Sequence, residues 1–176
     1  MKNKNQSSLD FKMMSFFFSI RDILKSPMIK VNNAGIKKGD IVLDYGCGPG
    51  GYTIAAANVL KDKGKVYAAD INKLAIEKVE KLAEKKNLNN IETILTECDT
   101  GLNDNSIDII MCFDMLHDSK NPKQIIKEFH RILKSNAILS FDDHHSNEEE
   151  INFNLTSDGL FELIEKIGNQ YNFKKV

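Results

Sequence analysis

Between Ile41 and Thr53 an apolar run ends in an acid, turns through a cluster of glycines and leaves as a helical pattern. The residues are Ile41-Val42-Leu43-Asp44-Tyr45-Gly46-Cys47-Gly48-Pro49-Gly50-Gly51-Tyr52-Thr53. That order specifies strand, tight turn and helix in succession, the repeating unit of an open α/β sheet. Glycine at such a turn lets the backbone approach a ligand, because no Cβ stands in the way. Gly46, Gly48 and Gly51 fit the GxGxxG spacing of a dinucleotide site, which seats a pyrophosphate at the helix N-terminus. Asp44, two places before the first glycine, opposes that reading. A carboxylate repels a pyrophosphate and suits a ligand that carries positive charge. The bland alternative is a glycine-rich turn that binds nothing.

The rest of the chain keeps the alternation. Strands are expected at Ile41–Tyr45, Lys65–Ile71, Ile91–Glu97, Ile107–Phe113 and Ala137–Phe141. Helices are expected at Tyr52–Lys61, Leu74–Lys86 and Pro122–Leu133. The unbroken apolar run Ile109-Ile110-Met111-Cys112-Phe113 suits a strand buried on both faces. The tail reads two ways. Leu160–Ile167 fits a helix, but Gly168-Asn169 is a hairpin turn pair, and Tyr171 and Phe173 alternate with polar neighbours. The hairpin Leu160–Lys166 with Tyr171–Lys175 is the preferred expectation. Before the sheet, residues 1–8 read as a disordered tip and residues 9–36 as a helical lid rich in Met and Phe. Residues 37–176 read as one α/β domain.

A net charge of −1 gives no ground for bulk attraction to nucleic acid or anionic membrane. No apolar stretch is long enough to span a bilayer. Phe16-Phe17-Phe18 is followed by no small-residue cleavage site, so a signal peptide is rejected. The three cysteines, Cys47, Cys98 and Cys112, have no CxxC spacing, which points to reduced thiols and a cytoplasmic setting. A small-molecule substrate is the expected partner, and a homodimer is allowed.

The Asp44-x-Gly46-x-Gly48-x-Gly50 string resembles motif I of the class I S-adenosylmethionine (SAM)-dependent methyltransferases, and the style of motifs I–IV also resembles the quinone-biosynthesis branch. The resemblance runs from about Gly39 to the end of the chain. It implies a Rossmann-like three-layer α/β/α sandwich whose mostly parallel, seven-stranded sheet ends in an antiparallel hairpin. It also implies SAM as cofactor and S-adenosylhomocysteine as product. Asp44, Gly46, Cys47, Gly48, Gly50 and Thr53 would form the cofactor loop. Asp70, about 20 residues beyond the glycines, would accept from the ribose hydroxyls, and Ile71 would pack on the adenine. Cys98, Asp99 and Thr100 after the third strand would border the adenine, with Asp99 receiving its amino group. Phe113 would lie at the methionine end.

Leu116-His117 resembles the family's signature after the fourth strand. His117 is a candidate general base, because an unperturbed imidazole titrates near neutrality. A loop-pinning histidine is the plainer reading. After the fifth strand, Asp142-Asp143-His144-His145 lies where open α/β folds bind ligands. Three readings stay open there: a polar substrate-side loop, an acid/base set, and a metal site. His117, Asp143 and His144 are the candidate catalytic residues, and no metal is expected. The function so implied is in-line methyl transfer from SAM to a small acceptor. The alternatives are a non-catalytic SAM-binding or scaffold protein and an NAD-type oxidoreductase domain.

Overall fold

The computed structural model describes residues 26–176; the expected tip and the Leu9–Leu24 part of the lid lie outside them. Helix α1 spans Pro27–Asn33, with Ser26 as N-cap and proline in the first turn, where a missing N–H costs nothing. Strand β1 is Ile41–Tyr45, α2 Gly51–Leu60, β2 Lys65–Asp70, α3 Lys73–Lys85, β3 Ile91–Leu95 and β4 Ile107–Phe113. Helix α4 is Pro122–Ile132, β5 Leu133–Asp142, α5 Glu148–Thr156, β6 Phe161–Ile167 and β7 Gln170–Lys175. Seven strands form one sheet in the order β3-β2-β1-β4-β5-β7-β6. Strands β1 to β5 pair in parallel, whereas β7 runs antiparallel to both β5 and β6. The tail is therefore the expected hairpin.

Alternation along β4 divides the core. Ile110 and Cys112 pack with Ile125 and Phe129 of α4 and Ile151 and Leu155 of α5. Ile109, Met111 and Phe113 pack with Val31 of α1 and Ala56, Ala57 and Leu60 of α2. Helices thus cover both faces of the sheet, as parallel strands require. Full burial of one such side chain, Phe129 for example, stabilises by about 1.5–3 kcal/mol.

Two expectations need correction. The stretch from Asp142 to about Thr156, expected as a substrate-side loop, is not all loop: α5 occupies Glu148–Thr156. Asn147 caps α5 by accepting from Glu150 N at 3.0 Å, and Glu150 Oε2 accepts from Asn147 N at 3.0 Å. That reciprocal pair satisfies two amides that the helix cannot. Strand β5 also starts four residues early, at Leu133. Ile107 pairs with Leu133 and Ile109 with Ile138. The polar residues between them bulge out, with Asn136 at φ +61°.

Helix α1 is fastened to the sheet by polar side chains rather than by apolar area alone. Ser140 Oγ donates to Asn172 Oδ1 at 2.7 Å, and Gln170 Nε2 donates to Ser140 Oγ at 2.7 Å and to the Lys30 carbonyl at 2.9 Å. Asn172 Nδ2 donates to the Asn33 carbonyl at 2.8 Å. Ser140, Gln170 and Asn172 are all buried, so each broken bond leaves an unpaired group in a dry place. Asn172→Ala should lower stability by about 1–3 kcal/mol. A denaturant titration giving an unchanged midpoint would show that the network holds nothing.

Candidate active site

The glycine turn is tied to the end of β2: Gly46 N and Cys47 N both donate to the Ala69 carbonyl, at 2.8 and 3.0 Å. Gly46 has φ +78°, and a Cβ there would stand 2.7 Å from Met115 Cγ and 2.9 Å from Met115 Cβ. No side chain fits between the turn and Met115. Asp44 is buried at the end of β1 and accepts from Thr53 Oγ1 at 2.5 Å. Asp70 ends β2 and accepts from Gly48 N at 2.9 Å and Asn72 N at 2.8 Å. Burial pushes the Asp70 pKa up, and these backbone donors pull against it.

These groups line a cavity of about 370 Å³ at the carboxyl ends of the strands, within the usual size for a small-molecule site. Asp44, Gly46, Cys47, Gly48, Asp70, Ile71 and Phe113 all border it. Ile71 presents an apolar side chain 65 % exposed on the rim, a face suited to a flat ring. Gly50 stands just behind as N-cap of α2. Two acids at the cavity favour an ammonium and sugar hydroxyls and oppose a pyrophosphate. The residues present therefore fit SAM.

After β3 the placement differs from the sequence expectation. Thr96 and Glu97 reach the cavity; Tyr45 Oη donates to the Glu97 carbonyl at 2.9 Å and holds that turn. Cys98 and Asp99 border a neighbouring hollow instead. Asp99 Oδ1 accepts from Gly101 N at 3.0 Å, and Thr100 gives both its amide and its hydroxyl to Glu128, at 3.0 and 2.5 Å.

The ends of β4 and β5 bring the other candidates together. Asp114, whose amide donates to the Asp142 carbonyl at 2.9 Å, has φ +52°, a conformation that costs a non-glycine residue about 1–3 kcal/mol. Its carboxylate accepts from His144 N at 3.1 Å and meets His144 Nδ1 at 2.6 Å. That hydrogen bond raises the His144 pKa. Asp143 is buried; it accepts from His117 N at 3.1 Å and meets the His117 ring Nδ1 at 2.9 Å. The His145 ring lies 4.2 Å from that of His117 and 4.0 Å from that of His144. Asp114 and Phe113 reach the cavity from this side.

Sequence reasoning missed Lys30. From α1 its ammonium pairs with Asp142 and stands 4.6 Å from the Phe113 ring centroid and 5.6 Å from that of Tyr52. Burial raises the Asp142 pKa, and Lys30 opposes the shift. No local window of sequence contains a partner 112 positions away.

Residues 36–172 match the model of a methyltransferase domain family. The chain is 27 % identical over 132 residues to the demethylmenaquinone methyltransferase of Geobacillus stearothermophilus, covering 74 % of this chain and 56 % of that protein. It is 29 % identical over 106 residues to the (S)-coclaurine N-methyltransferase of Thalictrum flavum subsp. glaucum, covering 60 % of this chain and 29 % of that one. The chain thus spans between about a third and just over half the length of these curated relatives. In fold it is similar to a SAM-dependent methyltransferase from Aquifex aeolicus, with a TM-score of 0.79, 24 % identity, and coverage of 89 % of this chain and 93 % of that one. A glycine turn flanked by Asp44 and Asp70, on a seven-stranded sheet closed by an antiparallel hairpin, agrees with that family match: the chain belongs to the class I SAM-dependent methyltransferases.

Proposed function

We propose that this chain transfers a methyl group from SAM to a small acceptor seated at the carboxyl ends of β4 and β5. The observation that carries the acceptor side is the His117–Asp143 pair. A buried carboxylate on both the amide and the ring Nδ1 of His117 fixes the imidazole. It favours the tautomer with the proton on Nδ1. Nε2 then carries the lone pair that would accept a proton, 3.5 Å from a carboxylate oxygen of the cavity-lining Asp118.

SAM supplies an activated methyl on a sulfonium that leaves as a neutral thioether. The chain's own residues supply alignment and a water-poor cavity, which account for most of the acceleration in such a displacement. His117 would take the proton that the acceptor loses as it gains the methyl group. The His144 ring, held by Asp114, lies 5.9 Å from that of His117; neither histidine itself lines the cofactor cavity. The names of the relatives, a quinone methyltransferase and an alkaloid N-methyltransferase, support a small organic acceptor with an acidic or amine nucleophile. Among the described residues no helix is long and apolar enough to cross a membrane. Three unpaired, buried cysteines support a reducing, cytoplasmic setting.

Isothermal titration should give micromolar-range affinity for SAM and S-adenosylhomocysteine and none for NAD. Binding of NAD with SAM ignored would overturn the cofactor side. A methyl-release screen over thiols, amines and phenols then identifies the acceptor class. His117→Ala should lower turnover by about 10²–10⁴-fold, the usual contribution of a positioned base, with SAM affinity nearly intact. Full turnover in a variant lacking both His117 and His144 would remove the proton-acceptor role.

A further inference from the structure

We infer that the charge of the cavity wall makes this chain prefer SAM to S-adenosylhomocysteine, with Glu97, Asp114 and Asp118 as the residues that discriminate. The two ligands share the adenosine and the amino-acid end. They differ by one methyl group and one positive charge, both on sulfur. Contacts to the shared parts, the expected bond from Asp70 to the ribose among them, cancel in the ratio of the two affinities. What remains in that ratio is how the wall receives a methyl and a charge at sulfur.

Among the described residues the wall carries five carboxylates, Asp44, Asp70, Glu97, Asp114 and Asp118, and one ammonium, Lys120. Lys30 does not line the cavity, and its ammonium is paired with Asp142. The strongest offset is His144, whose ring Nδ1 meets Asp114 at 2.6 Å, a bond that raises the imidazole pKa. With His144 counted as an imidazolium, three negative charges remain in excess. Burial pushes the Asp114 pKa up, but the bonds from His144 and the charge of Lys30 outweigh it and hold the carboxyl below its ordinary value. A sphere of the cavity's 370 Å³ is about 9 Å across, close to the Debye length of about 8–10 Å at physiological salt. A charge inside therefore feels the whole wall, and apolar lining from Tyr52, Phe113 and Met115 limits screening between them.

Placement decides which carboxylates act on sulfur. Asp114 and Asp118 follow β4 on either side of His117, and an Asp118 oxygen stands 3.5 Å from His117 Nε2. On the methyl-transfer reading, on which this step rests, the acceptor and hence the reacting sulfur face that side. Glu97 adds its charge from the turn after β3, and Lys120 opposes all three from the loop before α4. The same wall that attracts the charged cofactor loses that attraction once methyl and charge have left sulfur. Loading and product release are then favoured by one set of carboxylates.

The test is isothermal titration of the full chain with each ligand at low and high salt, with no acceptor present. SAM should bind about tenfold or more tightly than S-adenosylhomocysteine at about 0.02 M salt, and the ratio should shrink at about 1 M, where the Debye length is about 3 Å. The salt series separates the charge on sulfur from the apolar contact of the methyl. Glu97→Gln and Asp118→Asn replace exposed carboxylates by amides of the same shape. Each should lower the ratio by about 1.5- to 5-fold, the usual range for an exposed charge, through weaker SAM binding alone. Unchanged S-adenosylhomocysteine affinity certifies the fold of each variant. Lys120→Gln should raise the ratio by a similar factor, a sign that loss of structure does not give. A preference for S-adenosylhomocysteine at low salt, a ratio indifferent to salt, or variants that leave it unchanged overturns the inference. Failure of both ligands to bind overturns it together with the methyl-transfer reading. A salt-dependent SAM preference in a chain that transfers no methyl upholds it and overturns the proposed function alone.

Discussion

Asp70→Ala should weaken SAM binding by about 1–3 kcal/mol, or roughly 5- to 150-fold. The carboxylate sits at the end of β2 on the cavity wall and already accepts from Gly48 N and Asn72 N. Its loss acts twice. Charge-assisted bonds to the ribose hydroxyls disappear, and two backbone amides that shape the glycine turn and the start of α3 lose their acceptor. Asp70→Asn separates the two effects, since an amide oxygen can still take one backbone donor but offers no charge. The asparagine variant should recover part of the thermal stability and little of the affinity. Calorimetry showing wild-type affinity in Asp70→Ala would mean that the ribose is held elsewhere.

Gly46→Ala should be the more damaging change at the turn itself. The added Cβ meets Met115 Cβ and Cγ inside 3 Å, and the φ of +78° is one that alanine adopts only under strain. Strain of about 1–3 kcal/mol follows from the backbone alone. Met115 borders the cavity, so relief by moving its side chain narrows the space for cofactor. The expected result is a folded chain with at least about tenfold weaker SAM affinity. Met115→Ala in the same chain should restore part of it, because the nearer clashing atom, Cγ, is gone while Cβ stays. Equal losses in the single and double variants would show that the backbone strain, not the contact, is responsible.

Physical pattern made the five parallel strands legible because each is an apolar run bounded by turn residues, and the hairpin because Gly168-Asn169 is a turn pair. Helix α5 escaped because Ile151, Phe153 and Leu155 alternate at a period of two, which hides a helix. The legible signal was Asn147 followed three places on by Glu150, the capping pair that the structure uses. The start of β5 escaped because Lys134-Ser135-Asn136 is polar; those residues belong to a bulge, and a bulge has no period. At the site, the glycine turn, Asp44 and Asp70 were readable as local motif. The turn after β3 was not. Its register is set by Tyr45 reaching the Glu97 carbonyl and by Glu128 of α4 drawing Thr100 aside, contacts that no local window contains. Lys30 and the pairing of each histidine with its aspartate are likewise products of the folded sheet.

The polar clasp between α1 and β7 has a consequence for how the chain is made. Gln170 and Asn172 grip the carbonyls of Lys30 and Asn33 across about 140 positions of sequence. Translation delivers α1 first and its anchor after every other strand. During synthesis the helix can rest on α2 and β4 through Val31 while β1 to β5 assemble, but it lacks this polar fastening until β7 has left the ribosome. A nascent chain arrested before Gln170 should leave α1 open to protease although the strands and helices upstream of the arrest are already present.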